Sequence, residues 1–181
     1  MPNYYAIDDH SPEKGEQVLI LLAPQYNDME FFYPYYRLIE EGYSVTVAGL
    51  EKGDCTGKNS YIFPIQTCMD EIKPENFDMV YVPGGKAPEA LRKNSLVLDI
   101  IRYFAKVHKP IVSICHGPLV LADADVINGR HITCWPEIKD TIQKAGGIYE
   151  NTSVVQDNKL LTSRWPADLP KFMEKVLNML H

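Results

Sequence analysis

Residues 17–42, QVLILLAPQYNDMEFFYPYYRLIEEG, hold the reading that decides the fold. From Gln17 to Ala23 the chain is a continuous apolar run of strand length. A strand with one wet face alternates apolar and polar residues, so an unbroken run belongs in the middle of a parallel sheet, buried on both faces. Asp28 to Gly42 then shows helical spacing at Met29, Phe32, Tyr36 and Ile39, an acidic start and a terminal glycine suited to a C-cap. Strand followed by helix is the first half of a crossover unit.

The alternation continues outward. Tyr43 to Gly49 has period 2, and Tyr61 to Ile65 reads as a short strand before a less regular stretch. Phe77 to Pro83 is a strand ending in Gly84-Gly85, with a helix pattern from about Pro88 to Val107. Pro110 to Cys115 is the next strand, with a turn and helix from His116, and His131 to Cys134 is a further strand. Glu137 to Ala145 reads as helix, Val154 to Ser163 as a hairpin around Asp157-Asn158, and Ala167 to Leu180 as a closing amphipathic helix. This order predicts an α/β fold with a mostly parallel sheet covered on both faces and right-handed crossovers. Residues 1–16 are polar, contain Pro2, Pro12 and Gly15, and read as a flexible N-terminal arm, leaving 17–181 as a single domain.

Composition narrows the function. With 18 basic against 24 acidic residues the formal charge is −6, which leaves no basic footprint for nucleic acid. No apolar run reaches the ~18 residues of a membrane span, and the first residues lack a signal peptide's basic and apolar regions. The expectation is a soluble, cytoplasmic protein. Cys55, Cys68, Cys115 and Cys134 have no paired spacing, so free thiols are expected.

In an open α/β sheet, ligands collect beyond the carboxyl ends of the strands, near the switch in strand order. Three segments end there: Ala23 leading to Glu30, Pro83 leading to Glu89, and Ile114 leading to Cys115-His116. SICHGP, residues 113–118, puts a cysteine between a strand and a Gly-Pro helix start, the geometry of a nucleophile elbow. Such a thiol is expected to be exposed and to face helix N–H groups that favour the thiolate. The alternative is a small buried hydrophobe at a strand end. His116 partners Cys115 only if the turn is sharp enough to bring neighbouring side chains together; otherwise it is a turn residue.

Glu30 lies in the first helical turn, and Pro34, four residues on, has no N–H for its carbonyl. The resulting distortion would let Glu30 lean over a strand end; the alternative is a carboxylate placed there by the helix dipole. Gly84-Gly85 reads as a backbone cradle for an oxyanion or as a plain tight turn. It lacks the nucleotide-binding glycine spacings. Cys115, His116, His131 and Cys134 lack zinc spacing, so no metal is expected. His10, His108 and His181 are assigned no catalytic role. The aromatics Phe31, Phe32, Tyr33, Tyr35 and Tyr36 exceed one buried stripe, so some are expected at a pocket or interface. Trp135 and Trp165 each follow a strand, and either can roof the site.

Together, NDMEFFYPYYRLIEEGYSV (27–45), FDMVYVPGGKAPE (77–89), SICHGP, TCWPEIKD (133–140) and TSRWPADLPKF (162–172) resemble the ThiJ/PfpI superfamily. That superfamily includes PfpI-type intracellular proteases, class III glyoxalases and the Parkinson-associated protein deglycase, and the resemblance runs from about Gln17 to Leu180. It implies a flavodoxin-like three-layer α/β/α sandwich. By position it implies that Cys115 is the nucleophile, that Glu30 shares a hydrogen bond with it, and that His116 is the histidine of protease-like members. Glu89 matches an acid that reaches such a histidine from a neighbouring subunit, which implies a homodimer or higher homo-oligomer with a shared active site. Gly85 and His116 match backbone donors near the thiol; Gly84, Gly117 and Trp135 complete the candidate oxyanion and substrate-binding positions. Asn27 stands where several members have a second carboxylate and Trp135 where tyrosine is common. The first change lowers the negative charge opposing a thiolate, and the second narrows the pocket.

The function implied is a glutathione-independent glyoxalase, turning methylglyoxal into lactate, or a related deglycase-like activity, with no cofactor. Its substrate is a small 2-oxoaldehyde or a glycated or peptide substrate, with no nucleic-acid or membrane partner. One alternative is an intracellular cysteine peptidase with a Cys115-His116-Glu89 triad. Another is a redox-sensing or chaperone-like stress protein whose Cys115 is oxidised to a sulfinic acid held by Glu30.

Overall fold

The computed structural model describes residues 13–180; most of the expected arm, with His10, and the terminal His181 lie outside the described residues. In chain order the elements are β1 (Gln17–Leu22), α1 (Asp28–Glu40), β2 (Ser44–Gly49), β3 (Gly53–Thr56), β4 (Ile62–Ile65) and β5 (Thr67–Cys68). Then come β6 (Met79–Val82), α2 (Ala87–Leu91), α3 (Ser95–Lys106), β7 (Ile111–Ile114), α4 (Pro118–Asp123) and β8 (His131–Ile132). The chain closes with α5 (Lys139–Lys144), β9 (Ile148–Tyr149), β10 (Val154–Asp157), β11 (Leu160–Ser163) and α6 (Leu169–Leu180).

β1 lies inside the main sheet, as its composition requires: Ile20 is opposite Val47 of β2 on one side and Tyr81 of β6 on the other, and Val18 to Leu22 are fully buried. The seven-stranded sheet has the order β10-β11-β7-β6-β1-β2-β5, parallel throughout except for the edge hairpin β10–β11. Helices flank this sheet. α1 packs on α6, while α4 packs on both α2 and α3. The result is a flavodoxin-like α/β sandwich.

Four local features differ from the sequence reading. The helix expected over 88–107 is two helices, because the Asn94 side chain accepts from Leu96 and Val97 N–H and starts α3 afresh. The segment between Gly49 and Tyr61, given no element in the sequence reading, contains β3, which forms an antiparallel hairpin with β4 outside the main sheet. β8 pairs with β9 in a sheet of its own. The buried face of α1 is Phe31, Tyr35, Leu38 and Ile39, whereas Met29 and Tyr36 are 56% and 38% exposed. An aromatic-rich helix offers more than one stripe at helical spacing, and the Asn27 cap, bonded to Met29 and Glu30 N–H, sets which one turns inward. The outward set meets Tyr61, Pro166, Leu169 and Pro170 around a cavity of about 650 Å³, which accounts for the surplus aromatics.

The end of the expected arm is tied down. Glu13 and Lys14 N–H both donate to Gly42 O, and Ser44 N–H donates to Glu16 O.

Candidate active site

The strand order reverses at β1: the chain goes from β1 to β2 on one side and later adds β6 on the other. The loops leaving β1 and β6 therefore diverge and leave a crevice at their carboxyl ends. Across it, Asn27 N–H donates to Gly84 O at 3.1 Å and Lys86 N–H to Gln25 O at 2.8 Å. Gly85 has φ +83°, and a Cβ there would lie 2.5 Å from Asn27 N and Gln25 O, so only glycine fits this close crossing.

These contacts aim Glu30 into the crevice. Its side chain is fully buried, and Oε2 accepts from Gly84 N–H at 3.0 Å. Pro34 leaves the Glu30 carbonyl without its helical donor, and the Tyr81 hydroxyl from β6 fills that place. Tyr81→Phe should therefore strand a buried carbonyl and cost about 1–3 kcal/mol in urea unfolding. An unchanged unfolding free energy would mean the bond contributes nothing. Burial pushes the Glu30 carboxyl up to about 7, against the lowering effects of the Cys115 hydrogen bond, Gly84 N–H and the Lys58 charge.

Cys115 follows β7 with φ +61°, a left-handed conformation that a cysteine holds only where its surroundings impose it. Its N–H donates to Ser163 O at 3.0 Å, and its carbonyl accepts from Trp135 N–H at 2.9 Å. The thiol meets the Glu30 carboxyl and accepts backbone N–H contacts from Gly85 and His116. The exposed thiolate expected from the elbow motif is corrected here. Cys115 is 5% exposed, and burial followed by the Glu30 charge pushes its thiol well above the usual range despite the two N–H donors. The resting group is a protonated thiol beside a carboxyl that titrates near neutrality.

The turn is sharp enough to bring the neighbouring side chains together, with His116 Nδ1 3.2 Å from Cys115 Sγ. The half-buried imidazole stacks on Trp135 at 5.9 Å and 24°, and Trp135 meets Trp165 edge-on. Burial lowers the His116 pKa; the charges of Glu137 and Glu89 oppose this, and Lys58 adds to it. Glu89 itself is exposed and lies 3.6 Å from Arg92. It acts on His116 within the chain only as a distant charge, weaker than Glu137.

Gly117 does not offer a donor to the crevice, because its N–H is used by Ile114 O at 2.9 Å. Gly84 N–H is likewise occupied, by Glu30. The candidate metal set does not assemble among the described residues: His131 pairs with Glu150, and Cys134 is fully buried. Three residues bearing on the site went unread in the sequence. Tyr81 carries a signal, since a tyrosine in a wholly buried strand needs a hydroxyl partner. Glu137 and Lys58 carry none, because only the fold brings their loops to the crevice.

The sequence profile of the DJ-1/PfpI family matches residues 16–179. A Pyrococcus horikoshii protein named as a deglycase is 42% identical over 164 residues, covering 91% of this chain and 99% of that protein. A Bacillus subtilis protein whose name assigns it provisionally to the cysteine proteases is 34% identical, covering 92% and 99%. The crystal structure of Drosophila melanogaster DJ-1beta superposes with a TM-score of 0.83 at 31% identity, covering 90% and 89%.

Proposed function

The chain belongs to the DJ-1/PfpI family, and from that premise we propose that it is a cysteine-dependent enzyme acting without glutathione on 2-oxoaldehydes such as methylglyoxal and on their adducts. The observation that carries the proposal is the buried Cys115–Glu30 pair, in which a protonated thiol meets a carboxyl titrating near pH 7. A carboxyl that titrates near pH 7 can both accept and return a proton, which suits a reaction made of proton transfers, and the thiol gives up its proton as the carbon–sulfur bond forms.

In this reading the sulfur adds to the aldehyde carbon as Glu30 takes the thiol proton and passes it to the new alkoxide, giving a hemithioacetal. The Gly85 and His116 N–H groups beside the sulfur stabilise the oxyanion on the carbon it joins. Glu30 then removes the proton from that carbon and returns it to the adjacent one, while the hydroxyl proton on the first carbon passes to the oxygen of the second, giving a thioester. The first carbon is oxidised and the second reduced, so no external oxidant is needed. Water cleaves the resulting thioester, releasing the 2-hydroxy acid and the free thiol. His116 tunes the thiol, and Trp135 closes the site above it. Glu89 reaches His116 of a second copy, so the working unit is at least a homodimer.

The test is lactate formation from methylglyoxal without glutathione, run beside a casein digest of the same preparation with Cys115→Ala as control. Cys115-dependent lactate without proteolysis supports the proposal. The 3.2 Å contact between His116 Nδ1 and Cys115 Sγ favours a second reading, a cysteine peptidase. Digestion without lactate, lost in His116→Ala, would establish that reading and remove the first.

A further inference from the structure

The β3–β4 hairpin, absent from the sequence reading, is clamped onto the turn that delivers Glu30. Gln25 N–H donates to Thr56 O at 2.7 Å, Lys58 N–H to Tyr26 O at 2.8 Å, and Asn59 N–H to Asp28 Oδ2 at 2.8 Å. Tyr26 Oη donates to Tyr61 O at 3.0 Å, which ties the far side of the loop to the same turn. Gly57 lets this approach occur, since a Cβ there would lie 2.2 Å from Asp28 Oδ1. The backbone of Lys58 is therefore bonded directly to the turn that precedes α1.

Its side chain is not tied down in the same way. Lys58 is exposed and enters no ion pair among the described residues. Two arginines are committed elsewhere: Arg92 to Asp123 and Glu89, and Arg164 to Asp168. Yet the Lys58 charge is felt by both Glu30 on α1 and His116 on the elbow, the two groups that flank the thiol. A lysine with no ion pair among the described residues thus stands on the loop bonded to the Glu30 turn, and its charge bears on both groups beside the thiol. The charges of Glu89 and Glu137 bear on the same histidine.

We propose that Lys58 is the specificity-determining anchor of this site, holding the carboxylate or phosphate of an anionic aldehyde substrate while its carbonyl lies against Cys115. The proposal rests on the aldehyde-directed reading above and names its substrate class. Glu89 and Glu137 repel an anion bound on their side, so the anionic end lies at Lys58 and the aldehyde end at the sulfur. An exposed ammonium attracts a bound anion modestly and in a salt-dependent way.

The experiment compares 4,5-dioxopentanoate, a 2-oxoaldehyde with a carboxylate, with its neutral methyl ester, reading kcat/KM for each. Each takes up one water, oxidising its aldehyde carbon and reducing its ketone carbon, to give 2-hydroxyglutarate or the monoester. Wild type should favour the acid by about tenfold, mainly through KM, with the ratio falling as salt rises. Lys58→Met should bring the ratio to about one, Lys58→Glu should invert it, and Lys58→Arg should keep most of it. A wild-type ratio near one overturns the anchor. So does a Lys58→Met protein that keeps the ratio while its pH–rate profile shifts, because Lys58 would then act only through its field on Glu30. No turnover of acid, ester or methylglyoxal by wild type would overturn the aldehyde reading itself and the anchor with it.

Discussion

Glu30→Gln should lower kcat for 2-hydroxy acid formation by about 10²- to 10⁴-fold while making the folded protein more stable above pH 7. Both effects come from one fact: the carboxyl is fully buried and its pKa is raised from 4.5 to about 7. The folded chain keeps a proton that the unfolded chain gives up between those values. This group's contribution to stability is therefore complete below about pH 4.5 and is lost as the pH rises through about 7. Above that the buried charge costs roughly 3 kcal/mol, which a neutral glutamine avoids while still accepting from Gly84 N–H. Urea unfolding at pH 4.5 and pH 8 measures it: little difference between variant and wild type at the lower pH, and a gain at the higher. The wild-type rate should rise as the pH passes about 7, where Glu30 becomes able to take the thiol proton, and that limb should vanish in the variant. A variant with full activity, or equal stabilisation at both pH values, would contradict the account.

Gly117→Ala should damage the fold severely for so small a change. Its φ of −51° is ordinary, so the glycine is needed for space and not for backbone freedom. An added Cβ would lie 2.2 Å from Ser113 Oγ and 2.5 Å from Val82 O. Ser113 Oγ is itself bonded to Val82 O at 3.1 Å, so moving the serine aside breaks a buried bond and the backbone oxygen cannot move without disturbing β6. The expected loss is about 3 kcal/mol or more, above most overpacking substitutions. Thermal unfolding should show a fall of roughly 10 °C for a chain of this size. A change under about 2 °C would show that β6 and β7 yield more easily than close packing allows.

The distribution of what was legible follows the range of the interactions involved. QVLILLA excludes a wet face, so the central parallel strand followed from local composition. SICHGP placed Cys115 at a strand-to-helix turn for the same local reason. The face of α1 was misread because both Met29/Phe32/Tyr36 and Phe31/Tyr35/Leu38 are spaced for a helix. The choice belongs to the cap and the strand beneath. The protonation of Cys115 was misread because the elbow motif shows the donors but not the depth of burial or the carboxyl brought against the sulfur.

By itself, then, the sequence determined the layered α/β architecture and placed Cys115 and His116 at a strand-to-helix turn, since hydrophobic period, turn chemistry and residue type act over a few positions, whereas the role of Glu30 came from the family resemblance. Only the tertiary structure decided that Glu30 and Cys115 form one buried pair, that Gly117 serves packing, and that the charges of Lys58 and Glu137 bear on the groups beside the thiol. Those outcomes depend on residues far apart in the chain meeting where water is excluded, and burial of that kind sets both pKa values and close contacts.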